Sequence, residues 1–199
     1  GLDPSRPPKT WDEFHAYAAK LTRKDRFGFS FSTPPGYHWQ NFLYQAGGEV
    51  VEPGTNGRWR SVIDSEGGAK ALEYYRKLVL PGPNGEPPVA QTSADLTTDI
   101  NTGKTAMWLS YTNDVVMNQS DLSPSVIGIA ALPVGPSGKP VNEVNAGMWA
   151  INAKITDPKK LDACWRFIKY FAGDTAARIN TEKCVELGIG NLVNPTYLK

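Results

Sequence analysis

Residues 10–31 have the sequence TWDEFHAYAAKLTRKDRFGFSF, which changes from a helical to an extended pattern part-way along. Thr10 and Glu13 have the spacing of a capping box, in which the hydroxyl accepts from the N3 amide and the carboxylate reaches back toward the N-cap. Apolar side chains then recur three and four residues apart, as on one face of a helix, and the last five residues alternate as a strand does. The stretch therefore predicts a helix at 11–22 that leads into a strand at 27–31.

A nearly uninterrupted apolar run, Thr105-Ala-Met-Trp-Leu109, extends this pattern. Because a strand without a polar face must be covered on both sides, the run predicts a buried strand in one sheet with 27–31. Helices at 11–22 and 66–79 would cover that sheet, giving a three-layer α/β lobe over residues 1–143. The other predicted elements are helices at 37–46, 110–120, 158–172 and 174–183, a short helix begun by Ser93 or Asp95, a hairpin of 49–51 and 59–63, and strands at 126–130 and 145–151.

The most regular helical pattern lies near the end of the chain. Asp157 is an N-cap before Pro158 at the first helical position, and apolar residues recur with helical spacing over 161–172. Cys164 lies on this stripe, and Cys184 follows on the next helix. Since neither has a metal-ligand spacing, the two are either buried thiols or one possible disulfide between antiparallel helices.

Charge and composition exclude several functional classes. The 199 residues contain 21 Lys and Arg against 20 Asp and Glu, a net charge of +1, so there is no basic surface of the kind that binds nucleic acid. No apolar run reaches the ~18 residues of a membrane helix. The histidines, His15 and His38, lie in no zinc-binding frame, and no nucleophile elbow or glycine-rich phosphate loop occurs. We therefore expect no nucleic-acid partner, membrane span, metal, cofactor or catalysed reaction.

Aromatic, amide and acidic side chains gather at the ends of the predicted elements. Aromatic rings stack on the apolar faces of sugars, while amides and carboxylates bind hydroxyls, so this mixture is typical of a small-molecule pocket. The candidate ligand contacts on these grounds are Tyr37, His38, Trp39, Gln40, Trp108, Tyr111, Asn113, Asp114, Glu143, Asn145 and Trp149.

Six motifs occur in order along the chain. They are Pro8-Lys-Thr-Trp-Asp-Glu-Phe14, Gly47-Gly48, Ser65-Glu-Gly-Gly-Ala-Lys-Ala-Leu72, Asn101-Thr-Gly-Lys-Thr-Ala-Met107, Leu132-Pro-Val-Gly-Pro-Ser-Gly138 and Ala163-Cys-Trp-Arg-Phe-Ile168. In this order they resemble the extracellular solute-binding proteins of carbohydrate ABC importers, the group that includes maltose-binding protein. The resemblance covers practically the whole chain.

The resemblance implies a type II periplasmic-binding-protein-like fold of class α/β, here an incomplete clamshell. Members of the family have two lobes, each a three-layer α/β/α structure with a mixed sheet, joined by a hinge. Residues 1–147 would form the C-terminal lobe, and 148–199 the hinge crossing and helices that pack on a preceding N-terminal lobe. The exposed faces of those helices would promote self-association of this chain on its own.

The resemblance also implies a site and a function. The cleft-facing segments of the family match 36–40, 110–114 and 143–149, which adds Ser110 to the candidate contacts and makes Tyr111 the stacking ring of its segment. The implied protein is the substrate-binding component of an ABC sugar importer outside the cytoplasm, lipid-anchored or secreted. It would capture a mono- or oligosaccharide between its lobes and deliver it to the permease transmembrane subunits.

Two alternatives remain open at this stage. The same fold could bind a polyamine or an anion, or a carboxylate pair could make it a glycosidase, although no spacing singles out such a pair among the acidic residues. Polyamine sites need several carboxylates, and anion sites need Arg or helix N-termini. The candidate segments hold only Asp114 and Glu143 and no Arg, so they favour a sugar.

Overall fold

The structure, a computed structural model, describes residues 2–34, 36–109, 126–143, 147–187 and 196, apart from the side chain of Tyr37. These residues divide into two units, one up to residue 143 and one from residue 147 onward. The first unit contains α1 (Trp11–Leu21), β1 (Phe29–Ser32), α2 (Gly36–Gln45), β2 (Val51–Pro53), β3 (Trp59–Ser61), α3 (Glu66–Val79), β4 (Ala90–Ser93) and α4 (Leu96–Asn101). The second contains α5 (Pro158–Phe171) and α6 (Asp174–Glu186).

The capping residues predicted from the sequence begin these helices. Thr10 accepts from the Glu13 amide at 3.2 Å, while the Glu13 carboxylate accepts from the Lys9 amide at 2.7 Å, one residue before the N-cap. Ser65 accepts from the Gly68 amide at 3.2 Å and so begins α3. These bonds satisfy N–H groups that have no partner within a helix. The predicted starts of α1 and α3 are therefore confirmed.

Strand β1 is the middle one of three parallel chain segments. On one side it pairs with β4, in register from Phe29 opposite Ala90 to Ser32 opposite Ser93. On the other side Ser30 forms a parallel bridge to Trp108, and Phe27, just before β1, forms one to Thr105, so the predicted neighbourhood of 27–31 and 105–109 in one sheet is confirmed. Strand β4 was not predicted.

The run 105–109 is not a regular strand, contrary to the prediction. Its bridges to Phe27 and Ser30 lie three residues apart, whereas a parallel ladder repeats every two residues. The irregularity falls at Gly28, whose N–H donates to the Thr22 hydroxyl at 2.9 Å instead of to the neighbouring segment. A Cβ at position 28 would collide with the carbonyl of Ala18, so only glycine permits this approach of α1 to β1.

The core of the first unit is an aromatic cluster on one face of the sheet. Phe29 contacts Phe14 of α1 with ring centroids 5.0 Å apart, and Phe31 contacts Tyr75 of α3 at 5.0 Å and Phe42 of α2 at 6.1 Å. Because Phe29 and Phe31 alternate with Ser30, all three helices cover the same face. The prediction that α1 and α3 cover the sheet is confirmed, and both helices lie on this face.

A buried polar cluster occupies the other face, where α4 lies. The Ser30 hydroxyl, which is inaccessible to solvent, accepts from Thr105 Oγ1 at 2.7 Å and from Gln91 Nε2 at 3.2 Å. Asp99 of α4 accepts from Gln91 Nε2 at 3.1 Å and from Ser93 Oγ at 2.7 Å. These bonds satisfy the polar groups that the sheet buries and tie α4 to β4.

Two further predicted strands are not present in the described residues. Residues 126–130 form no strand and are mostly exposed, with Ile129 78% exposed, and no segment in the described part of the chain pairs with them. Residues 147–151, the described part of the predicted strand 145–151, form none either. The predicted helix at 110–120 lies outside the described residues. The hairpin is confirmed as β2 and β3, paired antiparallel.

The second unit consists of two helices and the segment before them. Asp157 caps α5 by accepting from the Lys159 amide at 2.8 Å, yet no residue of α5 is buried. Cys164 is half-buried and Cys184 is buried, and both are free thiols, so the possible disulfide is not formed in this structure. No described helix has the length and apolar composition needed to cross a membrane.

Candidate functional site

The carboxyl ends of the parallel segments meet at one edge of the sheet. There Ser32 lies opposite Ser93, and the Thr33 hydroxyl donates to the Ser93 carbonyl at 2.9 Å. Helix α2 begins directly after β1 at this edge, and the chain leaves the parallel segment 105–109 in the same direction. Ligands of open α/β sheets bind at such an edge. The predicted segment 36–40 thus starts where that rule places a site.

A pocket of about 650 Å³ opens between α2 and α3 beside this edge. Its volume falls within the range of ~300–1,000 Å³ that small-molecule pockets occupy. Trp39 of α2 and Leu72 and Tyr75 of α3 form apolar walls, and the polar side chains of Asp64 and Ser65 lie at the start of α3. The complete lining is Gly36, Trp39, Ile63, Asp64, Ser65, Gly68, Ala69, Leu72 and Tyr75.

Trp39 is the predicted contact that lies in this pocket. Its side chain is half-buried, and its indole N–H is buried without a hydrogen-bond partner among the residues that the structure describes. Tyr75 faces it across the pocket with its hydroxyl 3.3 Å from Thr92 Oγ1. The two rings can therefore take a ligand that has an apolar face.

The neighbouring predicted residues occupy different positions. His38 is buried, with Nε2 3.4 Å from the Ser32 hydroxyl and its ring 6.2 Å from that of Phe31, so it belongs to the wall between α2 and β1. Gln40 is half-buried. Tyr37 is the second residue of α2, and its side chain lies outside the described part of the chain.

The segment 134–143 runs antiparallel to α2 and brings Glu143 to it. The Ser137 amide donates to the Gln45 carbonyl at 3.0 Å, and the Glu143 amide donates to Asn41 Oδ1 at 2.9 Å. The chain thus advances toward the first turn of α2. Glu143 is half-buried, and its Oε2 atom is buried with no hydrogen-bond partner among the described residues.

The pKa of Tyr44 is raised by burial and by two nearby carboxylates. Burial raises the pKa of this phenol, and the carboxylates of Glu49 and Glu143 raise it further because they disfavour a second negative charge.

Sequence reasoning missed Asn41 and Gln45, which hold this segment. Both are buried, and Gln45 donates from Nε2 to the Val141 carbonyl at 3.3 Å while accepting from Trp11 Nε1 at 2.7 Å. With His38 they form a polar stripe at i, i+3 and i+7 on the buried face of α2. That pattern is the signal that could have identified them, since a polar stripe facing a core needs partners.

The other predicted contacts lie elsewhere. Trp149 belongs to the second unit, where it is 58% exposed and contacts Phe167 and Phe171 at ring-centroid distances of 5.3 Å each. No group of three or more metal-ligating side chains occurs in the described ranges. The candidates outside those ranges are Ser110, Tyr111, Asn113, Asp114 and Asn145.

Comparison with known proteins identifies the class to which this architecture belongs. Residues 1–178 match the model of the bacterial extracellular solute-binding proteins, so the chain belongs to that family. The family is one of binding proteins rather than of enzymes. The structural matches are type II periplasmic binding proteins, which establishes the fold class.

Three similar proteins illustrate the relationship. A probable ABC transporter-binding protein of Deinococcus radiodurans is 26% identical over 180 residues, covering 81% of this chain and 40% of that protein. A probable amino-acid ABC transporter periplasmic-binding protein of Sinorhizobium fredii is 26% identical over 141 residues, covering 67% and 31%. The GacH receptor of Streptomyces glaucescens, solved unliganded and with acarbose, matches with a TM-score of 0.63 and 21% identity over 89% of this chain and 45% of that one. The chain spans less than half the length of each.

Proposed function

We propose that this chain is part of the substrate-binding component of an ABC sugar importer that works outside the cytoplasm. The protein would capture a mono- or oligosaccharide and deliver it to the permease, without catalysing a reaction. Family membership, the relative described as an ABC transporter-binding protein and the fold shared with an acarbose-binding receptor support this proposal.

We further propose that residues 1–147 form the C-terminal lobe of a two-lobed protein and that 148–199 form the crossing and helices that pack on the other lobe. The division of the described residues between 143 and 147 supports it, as does the exposed apolar stripe of α5. In this arrangement the ligand is held from both sides. One lobe alone then provides about half of the contacts.

The pocket beside Trp39 is the observation that carries the sugar assignment. Trp39 and Tyr75 supply the ring faces on which a sugar ring stacks. The remaining contacts would come from the segments at the same sheet edge and from the crossing. The proposed contacts are Tyr37, His38, Trp39, Gln40, Ser110, Tyr111, Asn113, Asp114, Glu143, Asn145 and Trp149.

The second candidate ligand is an amino acid, which the relative from Sinorhizobium fredii suggests. An amino acid carries both a carboxylate and an ammonium group, so its site needs a cation as well as an anion. The described lining of the pocket holds Asp64 but neither Lys nor Arg. A neutral sugar therefore suits this pocket better.

A titration of the 199-residue chain with glucose, maltose and maltotriose tests the proposal. Losing half of a ~8 kcal/mol micromolar interaction leaves a dissociation constant in the millimolar range, so saturation-transfer NMR is the suitable method. We expect binding of at least one sugar, weakened about tenfold or more in Trp39→Ala. The matched control Trp59→Ala, which removes a tryptophan that is 68% exposed on β3, should bind like the unaltered chain. Binding of amino acids but of no sugar would reject the sugar assignment.

The same architecture leads us to propose self-association of this chain when it is alone. Leu161, Trp165 and Phe171 of α5 are each about half exposed, and apolar stripes of this kind promote association. Sedimentation at high concentration should show oligomers that Trp165→Glu disperses, whereas Ile129→Glu in the first unit leaves them intact. A monomer at all concentrations would contradict this part of the proposal.

A further inference from the structure

Asp64 is the charged side chain in the described lining of the pocket beside Trp39. The other lining residues carry aromatic, aliphatic or hydroxyl side chains or are glycines. Asp64 forms no hydrogen bond or ion pair with another described residue, and Lys70 of α3 pairs instead with Glu66 at 2.6 Å. The part of the pocket that the structure describes therefore has a net negative charge.

The other polar side-chain groups of this lining are already in use or turned away. The Ser65 hydroxyl caps α3 by accepting from an amide of its first turn at 3.2 Å, and the Tyr75 hydroxyl lies 3.3 Å from Thr92 Oγ1. The indole N–H of Trp39 is buried, so this residue offers a ligand its ring face. The Asp64 carboxylate is therefore the described side-chain group that is available to the polar part of a ligand, and an ionised carboxylate only accepts hydrogen bonds.

The backbone on both sides of Asp64 is held in place. The Ser65 amide donates to the Ile63 carbonyl at 2.9 Å across Asp64. A Cβ on Gly68 would lie 1.9 Å from the Ile63 carbonyl oxygen, so only glycine lets this carbonyl lie against α3. Because the backbone of Asp64 is already ordered, less conformational entropy is lost when its carboxylate binds a ligand.

The first turn of α3 also lines the pocket, through Ser65, Gly68 and Ala69. N–H groups at the start of a helix carry partial positive charge and attract anions. Asp64 directly precedes the N-cap residue, so its carboxylate opposes that attraction. The pocket thus favours a ligand that donates hydrogen bonds, and it would favour an anion if the carboxylate were absent.

We propose that Asp64 is the specificity-determining residue of this pocket, where its carboxylate accepts hydrogen bonds from two adjacent hydroxyls of a neutral sugar and excludes anionic sugars. The inference rests on the proposed sugar-binding function and adds a contact outside the segments 36–40, 110–114 and 143–149. The two oxygens of a carboxylate can accept from two donors at once, and adjacent hydroxyls of a sugar ring supply them. A phosphate or carboxylate on the sugar would instead meet a like charge, which costs binding free energy.

The test compares two neighbouring carboxylates, of which Asp64 lines the described pocket and Glu66 does not. Titrations of the 199-residue chain with glucose, maltose, maltotriose and glucuronate, followed by chemical-shift changes, are run for Asp64→Asn and for the control Glu66→Gln. Asp64→Asn should weaken binding of the neutral sugar about three- to tenfold, because a hydrogen bond to a charged acceptor is stronger than one to a neutral amide. The same variant should bind glucuronate about threefold more tightly or better, since the like charge is gone. Glu66→Gln, which changes an exposed side chain, should alter neither affinity.

A second variant, Asp64→Glu, separates the charge of the carboxylate from its position. It retains the charge but moves the oxygens by one methylene, so it should weaken binding of the neutral sugar and still exclude glucuronate. A role of Asp64 in stabilising α3 alone would change the free energy of unfolding but not the ratio of the two affinities. Tighter glucuronate binding by Asp64→Glu, equal to that of Asp64→Asn, would overturn the exclusion of anionic sugars.

The remaining results are distinguishable. Neutral-sugar binding that is equal in the unaltered chain and in Asp64→Asn would overturn this inference and leave the proposed function intact. Binding of no sugar to the unaltered chain would overturn both. Glucosamine that binds more tightly than glucose, with a preference that Asp64→Asn abolishes, would assign the carboxylate to an ammonium group and overturn the hydroxyl assignment.

Discussion

Helices α3 and α5 are equally long and equally well capped, yet their apolar faces have different surroundings. Each has 14 residues, an N-cap side chain in place and an apolar stripe along one face. In α3 the stripe is covered, and Ala71, Tyr74 and Leu78 are buried. In α5 no residue is buried, and the rings of Phe167 and Phe171 contact Trp149.

The difference shows what helical periodicity encodes. A stripe of apolar residues specifies that a face will be covered, but not by which element. The stripe of α3 meets α2 and the sheet within its own unit, and its burial stabilises that unit. The stripe of α5 is evidence for a second surface, which the proposed arrangement assigns to the other lobe.

The largest expected contrast is in the free energy of unfolding. Phe31→Ala removes a fully buried ring in contact with α2 and α3 and should cost about 3–5 kcal/mol. Phe171→Ala removes a half-exposed ring of α5 and should cost about 0.5 kcal/mol or less. Urea unfolding of both variants measures the two costs. Equal costs would mean that the stripe of α5 is as well covered as the aromatic core.

Alkaline pH should destabilise the first unit through Tyr74. Burial raises the pKa of this phenol well above its ordinary value near 10, and the Asp12 carboxylate adds to the effect. Above pH 10 the unfolded phenol loses its proton while the folded one keeps it, so the free energy of unfolding falls by about 1.4 kcal/mol per pH unit. Below pH 10 both states are protonated and the full stability is retained.

The variant Tyr74→Phe should remove this contribution to the pH dependence. It should also cost about 1–2 kcal/mol at neutral pH, since the Trp11 carbonyl loses its donor. Tyr170→Phe, which alters an exposed ring of α5, is the control and should leave the alkaline slope unchanged. An alkaline slope that survives Tyr74→Phe in full would contradict the account.

The smallest expected effects come from the two N-caps. Ser65→Ala should lower the free energy of unfolding of the first unit by about 1 kcal/mol, because α3 is part of its core. Asp157→Ala should leave that value unchanged and instead speed amide exchange in the first turn of α5. A loss of stability in the first unit on changing Asp157 would show that α5 is coupled to it.

Local signals predicted much of this structure. The caps at Thr10, Ser65 and Asp157 and the stripes that follow them are short-range features, so the helices could be predicted almost to the residue. Strand β4 was missed because Ala90-Gln-Thr-Ser93 has no strong alternation and becomes a strand by pairing with β1. The strand predicted at 126–130 is absent although its residues favour a strand, because β-branched residues with no described neighbour to pair with form no sheet.

The site was predictable only in part for the same reason. Trp39 stood out because a large aromatic residue followed a turn at the end of a strand. Asn41 and Gln45 act on a segment about a hundred residues later in the chain, a distance that no local pattern spans. Their roles follow from tertiary contacts, as does the free carboxylate oxygen of Glu143.

Fluorine NMR of the chain labelled with 5-fluorotryptophan tests most directly whether the first unit carries the ligand site. The six tryptophans are assigned by single substitutions to Phe, and maltose or maltotriose is titrated to saturation. We predict a saturable shift of the Trp39 signal, with the signals of Trp59 and Trp165 unchanged. An unchanged Trp39 signal at saturating sugar, or a saturable shift at Trp165 instead, would contradict the account.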